Sequence, residues 1–223
     1  MKKKLLLICI IGLFTPATLH AQDRANVFRH GKLDNGLTYY VRHTSMQPGK
    51  ADFYLVQNVG ALMEEDNQNG LAHFLEYMAF NGSESFKEGI PNFLKRRGVT
   101  RFNAQTGQDE TVYYMTAIPT NDTKLLDSCL LVMKDWSGFL LLKPDEIDKE
   151  RGVIREERRM RRNLGARLKE QSDPLVFNNS KYATRNVIGS EEIINNFTPE
   201  ELRAYYNDFY RPDLQAVIIV GDI

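Results

Sequence analysis

The sequence predicts an α+β fold: a mixed, largely antiparallel sheet with helices packed against it. Three observations carry the prediction. Strand and helix patterns follow the order β-β-α-α-β-β-α-α-α-β, so strands come in neighbouring pairs rather than in strict alternation with helices. Turn signals stand where neighbouring strands must be joined directly, at Asp34-Asn35-Gly36 and at Gly107-Gln108. The 223 residues are 42% hydrophobic and 26% charged, a globular balance that excludes a disordered chain or a bundle of membrane spans.

The first residues form a separate object. Lys2, Lys3 and Lys4 precede an apolar run from Leu5 to Phe14, too short to span a bilayer. Pro16 breaks the run, and Ala21-Gln22 offers a small-residue cleavage point. This pattern predicts a signal peptide over 1–21, a single domain over 22–223, and an exported protein, periplasmic or extracellular, with no membrane association after signal removal. Three of the 29 basic residues leave with the signal, so 26 stand against 29 acidic ones, a balance of −3. That balance gives no reason to expect nucleic acid as a partner. Cys9 lies in the signal, which leaves Cys129 alone beside Leu130 and Leu131, a buried thiol with no disulfide partner.

The elements follow in order. Leu37 to Val41 and Ala51 to Val59 read as strands, and so do Arg101 to Thr106 and Thr111 to Ile118. A short helix covers Gly70 to Phe80 and stops at Asn81-Gly82. A second begins at Pro91, a favoured first helical residue, and ends at Gly98. A third runs from Asp122 to about Leu140, and a long charged one starts at Pro144 and passes Leu168. The last helix is the best marked, with Thr198 as N-cap, Pro199 at the first position and Glu201 completing a capping box. Leu214 to Val220 reads as a final buried strand.

Two constellations carry chemistry. In the first short helix His73 and Tyr77 are four apart and Glu76 lies between them at the third position, so all three share a face. A histidine and a carboxylate so placed can hold a metal and its water, but the same spacing is more often a surface pair or a core histidine. In the long helix Ile147, Glu150, Ile154, Glu157, Leu164 and Leu168 form one stripe whose other members are apolar. Glu150 and Glu157 are thus expected to point inward, where a carboxylate needs a cation or an arginine. Arg151, Arg155, Arg158 and Arg161 are at hand for the second solution, and the charge run itself reads as a solvated face.

The run Gly70-Leu71-Ala72-His73-Phe74-Leu75-Glu76-Tyr77-Met78-Ala79-Phe80-Asn81-Gly82 resembles the signature of the pitrilysin/insulinase family, the inverted zincins. Glu150-Arg151-Gly152-Val153-Ile154-Arg155-Glu156-Glu157 is similar to the family's distal segment, and Glu157 lies 84 positions after His73, a separation similar to the family spacing. Phe102-Asn103-Ala104 with Asp109, Thr111, Val112 and Tyr113, Val187-Ile188-Gly189, and Tyr210-Arg211-Pro212-Asp213 resemble three further family stretches. The resemblance implies one repeat unit of the mitochondrial-processing-peptidase-like metallohydrolase fold, half of a clamshell. It implies Zn2+ on His73 and Glu157, Glu76 as the general base on metal-bound water, and Glu150 as a supporting carboxylate behind the ligands. It also implies that Asn103 and Ala104 lie on an edge strand that pairs with the backbone of a peptide or unfolded polypeptide, and that a second homologous domain or subunit closes the site.

The pattern departs at position 77, where tyrosine replaces the second motif histidine. A phenol must lose a proton before it binds metal, and its ordinary pKa of about 10 makes that cost roughly 4 kcal/mol at pH 7. The expectation is an exported endopeptidase-family domain, weakened or inactive. The alternative is a non-catalytic peptide-binding module or the silent partner subunit of a heteromeric peptidase.

Overall fold

The computed structural model describes residues 28–178 and 180–223, and the expected signal peptide lies outside them. Asp34-Asn35-Gly36 turns the chain between β1 (Phe28–Lys32) and β2 (Thr38–His43). The Asn35 side chain accepts from the Leu37 amide at 3.1 Å, and Gly36 takes the positive φ of +96° that this turn requires. β3 (Lys50–Gln57) alternates strictly between buried and part-exposed residues, the mark of a strand with one face on the core. β4 (Phe102–Thr106), β5 (Thr111–Pro119) and β6 (Gln215–Gly221) complete a six-stranded sheet in the order β1-β2-β6-β3-β5-β4. Every neighbouring pair is antiparallel except β2 with β6. β4 is therefore an edge strand.

Eight helices accompany the sheet among the described residues: α1 (Leu71–Met78), α2 (Ile90–Arg96), α3 (Thr123–Gly138), α4 (Pro144–Arg161), α5 (Leu164–Val176), α6 (Lys181–Thr184), α7 (Glu191–Asn196) and α8 (Pro199–Phe209). Phe53, Leu55, Tyr113 and Met115 on the sheet pack with Phe74, Leu75, Met78 and Trp136 in one core. Each such side chain contributes about 1.5–3 kcal/mol by leaving water. The capping box of α8 is present, with the Thr198 amide donating to Glu201 at 2.7 Å and the Glu201 amide to Thr198 at 3.2 Å. Cys129 is buried, and its low dielectric surroundings push the thiol up to about 12. Leu130 and Leu131 beside it are exposed. No helix among the described residues is long and apolar enough to cross a membrane.

The long charged helix is broken, contrary to the sequence expectation. α4 ends at Arg161, and Asn163 restarts the chain as N-cap of α5 by accepting from the Ala166 amide at 3.0 Å. The predicted stripe therefore stops at Glu157. Leu164 and Leu168 are 64% and 57% exposed and lie outside the core that holds Ile147 and Ile154. The second strand is also shifted: it ends at Gln57, so Val59 lies beyond it.

Candidate functional site

α1 is held at both ends. Glu64, fully buried, accepts from the amides of Gly70 and Ala72, each at 2.9 Å, and so satisfies two of the unpaired donors of the first turn. Gly70 has φ +109°, and a Cβ there would lie 2.7 Å from the Cα of Gly189. At the other end the Trp136 indole donates to the Ala79 carbonyl at 3.0 Å. The helix has no freedom to rotate, so the face bearing His73, Glu76 and Tyr77 is fixed toward α4 and β4.

α4 presents Glu157 to that face. Tyr77 Oη donates to Glu157 Oε2 at 2.8 Å, and His73 Nε2 lies 3.5 Å from the same oxygen. The other oxygen, Oε1, pairs with Arg161 at 2.6 Å. Thr106 at the end of β4 donates to Glu76 Oε2 at 2.6 Å. Asn81 just past α1 donates to Glu150 Oε1 at 3.0 Å. The His73 and Tyr77 rings meet edge to face, 5.2 Å between centroids. His73, Glu76, Tyr77 and Glu157 thus come together, while Glu150 stands about two turns earlier on α4 and is held by Asn81. Asn103 is exposed on the edge strand and Ala104 is buried beneath it. Thr106, Asn81 and Glu64 were missed by the sequence reading. Only the alternation that puts Thr106 on the same face as Ala104 could have pointed to the first of them.

Burial decides the protonation states. It lowers the pKa of His73 more than the charge of Glu157 raises it, so the 3.5 Å contact joins a neutral imidazole to a carboxylate. Burial also raises Glu76, against the pull of the Thr106 hydroxyl. It raises Tyr77 well above the ordinary phenol range, and the hydrogen bond and charge of Glu157 push the same way. The phenol is therefore a donor at neutral pH.

A catalytic zinc takes three protein ligands and keeps a fourth position for water. The residues here do not supply that set. His73 Nε2 and Glu157 Oε2 converge, but the third group is a protonated phenol that spends its hydrogen on the carboxylate. His73 Nδ1 is buried without a partner among the described residues, so among them nothing supplies the second hydrogen bond that orients a metal-binding imidazole. Among the described residues, no group of three or more His, Cys, Asp or Glu is placed to hold a metal ion. Arginine, the bland partner, satisfies Glu157 through Arg161.

Two grooves meet at Tyr77. One of about 360 Å3 follows β4 between Glu76, Phe80, Lys95, Phe102 and Asn103. The other, of about 760 Å3, follows α4 past Val153, Glu157, Met160 and Arg161.

Comparison with known proteins adds identity to this geometry. The family model described as insulinase (peptidase family M16) matches residues 35–172. The protein named Probable zinc protease PqqL of Haemophilus influenzae is 33% identical over the whole of this chain, which covers 25% of that relative. Its namesake in Escherichia coli is 34% identical over 86% of this chain and 21% of its own length. The crystal structure of the periplasmic protease PqqL from Escherichia coli superposes with a TM-score of 0.83 at 32% identity, covering 88% of this chain and 22% of that one. The chain spans about a quarter of the length of the curated relatives it matches.

Proposed function

Because the chain belongs to the insulinase family of peptidases, we propose that it is an exported unit that binds extended polypeptide and whose zinc centre is disabled at Tyr77. The observation that carries the reading is the 2.8 Å hydrogen bond from Tyr77 Oη to Glu157 Oε2. It occupies the point on which His73 and Glu157 converge and uses a group that holds its proton. Polypeptide would pair with β4, whose outer edge carries no strand among the described residues. Export rests on the lysines, apolar run and cleavage point of 1–21, and the Escherichia coli relative is itself described as periplasmic. The greater length of the relatives supports a second homologous unit, in the same protein or another, closing over the Tyr77 face.

A second reading, a weakened zinc endopeptidase, is favoured by Glu76. Its carboxylate sits beside His73 on α1, is supported by Thr106, and has its proton affinity raised by burial, as a general base requires. One experiment separates the two. A fluorescent unfolded peptide is titrated with the protein in the presence of zinc and in the presence of a chelator, and its integrity is followed by mass spectrometry. Equal binding in both, with the peptide intact, is the expected result. Cleavage in zinc that stops in chelator favours the second reading and ends the first.

A further inference from the structure

Between Arg155 and Arg167 the sequence places six arginines and two glutamates, in a chain whose charges as a whole balance at 29 against 29. The break between α4 and α5 turns this run into a surface rather than a helical stripe. Two grooves form there. One is lined by Arg155, Arg158, Arg159 and Arg162 with Glu156 and Glu191. The other, of about 200 Å3, is lined by Arg158, Arg161 and Arg162, with Glu170 as its acidic residue and Val187 and Ile188 as an apolar wall.

The carboxylates do not neutralise this surface. Glu156 is held in two bonds by Arg159, at 2.8 and 2.6 Å. Arg155, Arg158 and Arg162 form no ion pair among the described residues. Arg158 donates to the Gly189 carbonyl, which fixes its guanidinium beside the groove. Among the described residues the Arg155 guanidinium donates only to Asn195, at 3.4 Å.

The surface is continuous with the candidate site. The β4 groove and the α4 groove share Tyr77, the α4 groove and the smaller arginine groove share Arg161, and the two arginine grooves share Arg158 and Arg162. A strand laid on β4 that continues past Tyr77 runs onto guanidinium groups. We propose that the arginine face at the α4–α5 junction is a subsite for acidic side chains of the polypeptide held on β4. The subsite rests on the peptide-binding reading and gives it a substrate class, extended polypeptide with an acidic segment. Guanidinium is the cation suited to carboxylate, because it offers parallel donors to both oxygens.

The test uses the full chain and two labelled unstructured peptides of one length. One is built of neutral residues, and the other carries four aspartates at one end. Anisotropy titrations at low salt should show the acidic peptide binding about tenfold tighter, with the advantage shrinking as salt rises. The double variant Arg155→Gln, Arg162→Gln should bind both peptides like the parent binds the neutral one. Both arginines are exposed, so the fold is kept. Arg155→Lys, Arg162→Lys should recover part of the preference, since charge remains and the planar fork is lost. A control at the far sheet edge, Arg29→Gln, Lys32→Gln, should leave the preference intact. Equal binding of the two peptides by the parent overturns the subsite and spares the strand reading. An equal loss in the control reduces the effect to net charge and overturns it too. Binding of the acidic peptide alone, lost in the arginine variant, keeps the subsite and removes the strand. Binding of neither removes both. A single-stranded oligonucleotide that outcompetes the acidic peptide assigns the surface to nucleic acid instead.

Discussion

At position 77 one side chain decides what the others can do. An imidazole there would bring a lone pair at neutral pH, whereas the phenol brings a proton and gives it to Glu157. Tyr77→His should therefore restore a third protein ligand beside His73 and Glu157 and raise zinc affinity by about a hundredfold, on the order of 3 kcal/mol for one ligand. The double variant Tyr77→His, Glu157→Gln should lose most of that gain, because both ligands act on one ion. Competition against a chelator reads both effects. A parent that already binds zinc as tightly as Tyr77→His would end the case for a disabled centre. The shared face of His73, Glu76 and Tyr77 was legible in the sequence because helical spacing alone creates it. Glu64, Asn81 and Thr106 were not legible. Glu64 and Asn81 stand outside any helical or strand period, and Thr106, although on the β4 alternation, meets Glu76 only through tertiary packing.

Elements set the next level. The break after Arg161 was hidden because the charged pattern runs on through it, yet Asn163 before Leu164-Gly165 is a cap signal that outweighs the pattern. The short helices α6 and α7 lack the length for a periodic signal and were not foreseen. The edge position of β4 was expected from resemblance, and the pairing pattern adds a detail. Arg101 accepts from Thr116 at 2.8 Å and Gly107 donates to Glu110 at 2.7 Å, so the odd-numbered residues between them face β5. The amide of Ala104 faces the open edge. Ala104→Pro thus removes a donor from the edge without removing a bond within the sheet. It should weaken peptide binding about threefold to tenfold, the worth of one hydrogen bond. Fluorescence titration that finds parent-like affinity would place the binding elsewhere. The junction of α1 with the loop before α7 offers a second test. A Cβ at Gly189 would stand 2.5 Å from the Gly70 Cα, and Gly189 has φ +86°. Gly189→Ala should cost about 2–4 kcal/mol, since backbone must move to admit it. An unchanged melting temperature would mean the two glycines are not in contact.

For the whole molecule, the sheet order places β6 between β2 and β3. Local patterns foretold five of the six strands, all but β1, and did not foretell this insertion, because the parallel pairing of β2 with β6 is made across more than 170 residues of chain. The same long-range closure buries Glu64. Its carboxyl is pushed up to about 7 by burial, against the pull of the Ala72 and Gly70 amides and of Arg185, from an ordinary value of 4.5. The folded state therefore holds this proton more tightly than the unfolded chain does. The resulting stability is fully present below about pH 4.5, falls as pH rises through the interval, and is gone above about pH 7. An interval of about 2.5 units corresponds to about 3 kcal/mol. Glu64→Gln does not titrate, so it isolates this group from every other. Urea unfolding at pH 4.5, 6 and 8 should show the parent's advantage over Glu64→Gln shrinking by about 3 kcal/mol across the range. The glutamine also turns an amide N–H toward one of the two backbone donors, a penalty that is the same at every pH and so cancels from the slope. A gap that stays constant with pH would mean that the carboxylate is ionised throughout, held by the two amides at the head of α1, and that burial does not govern it.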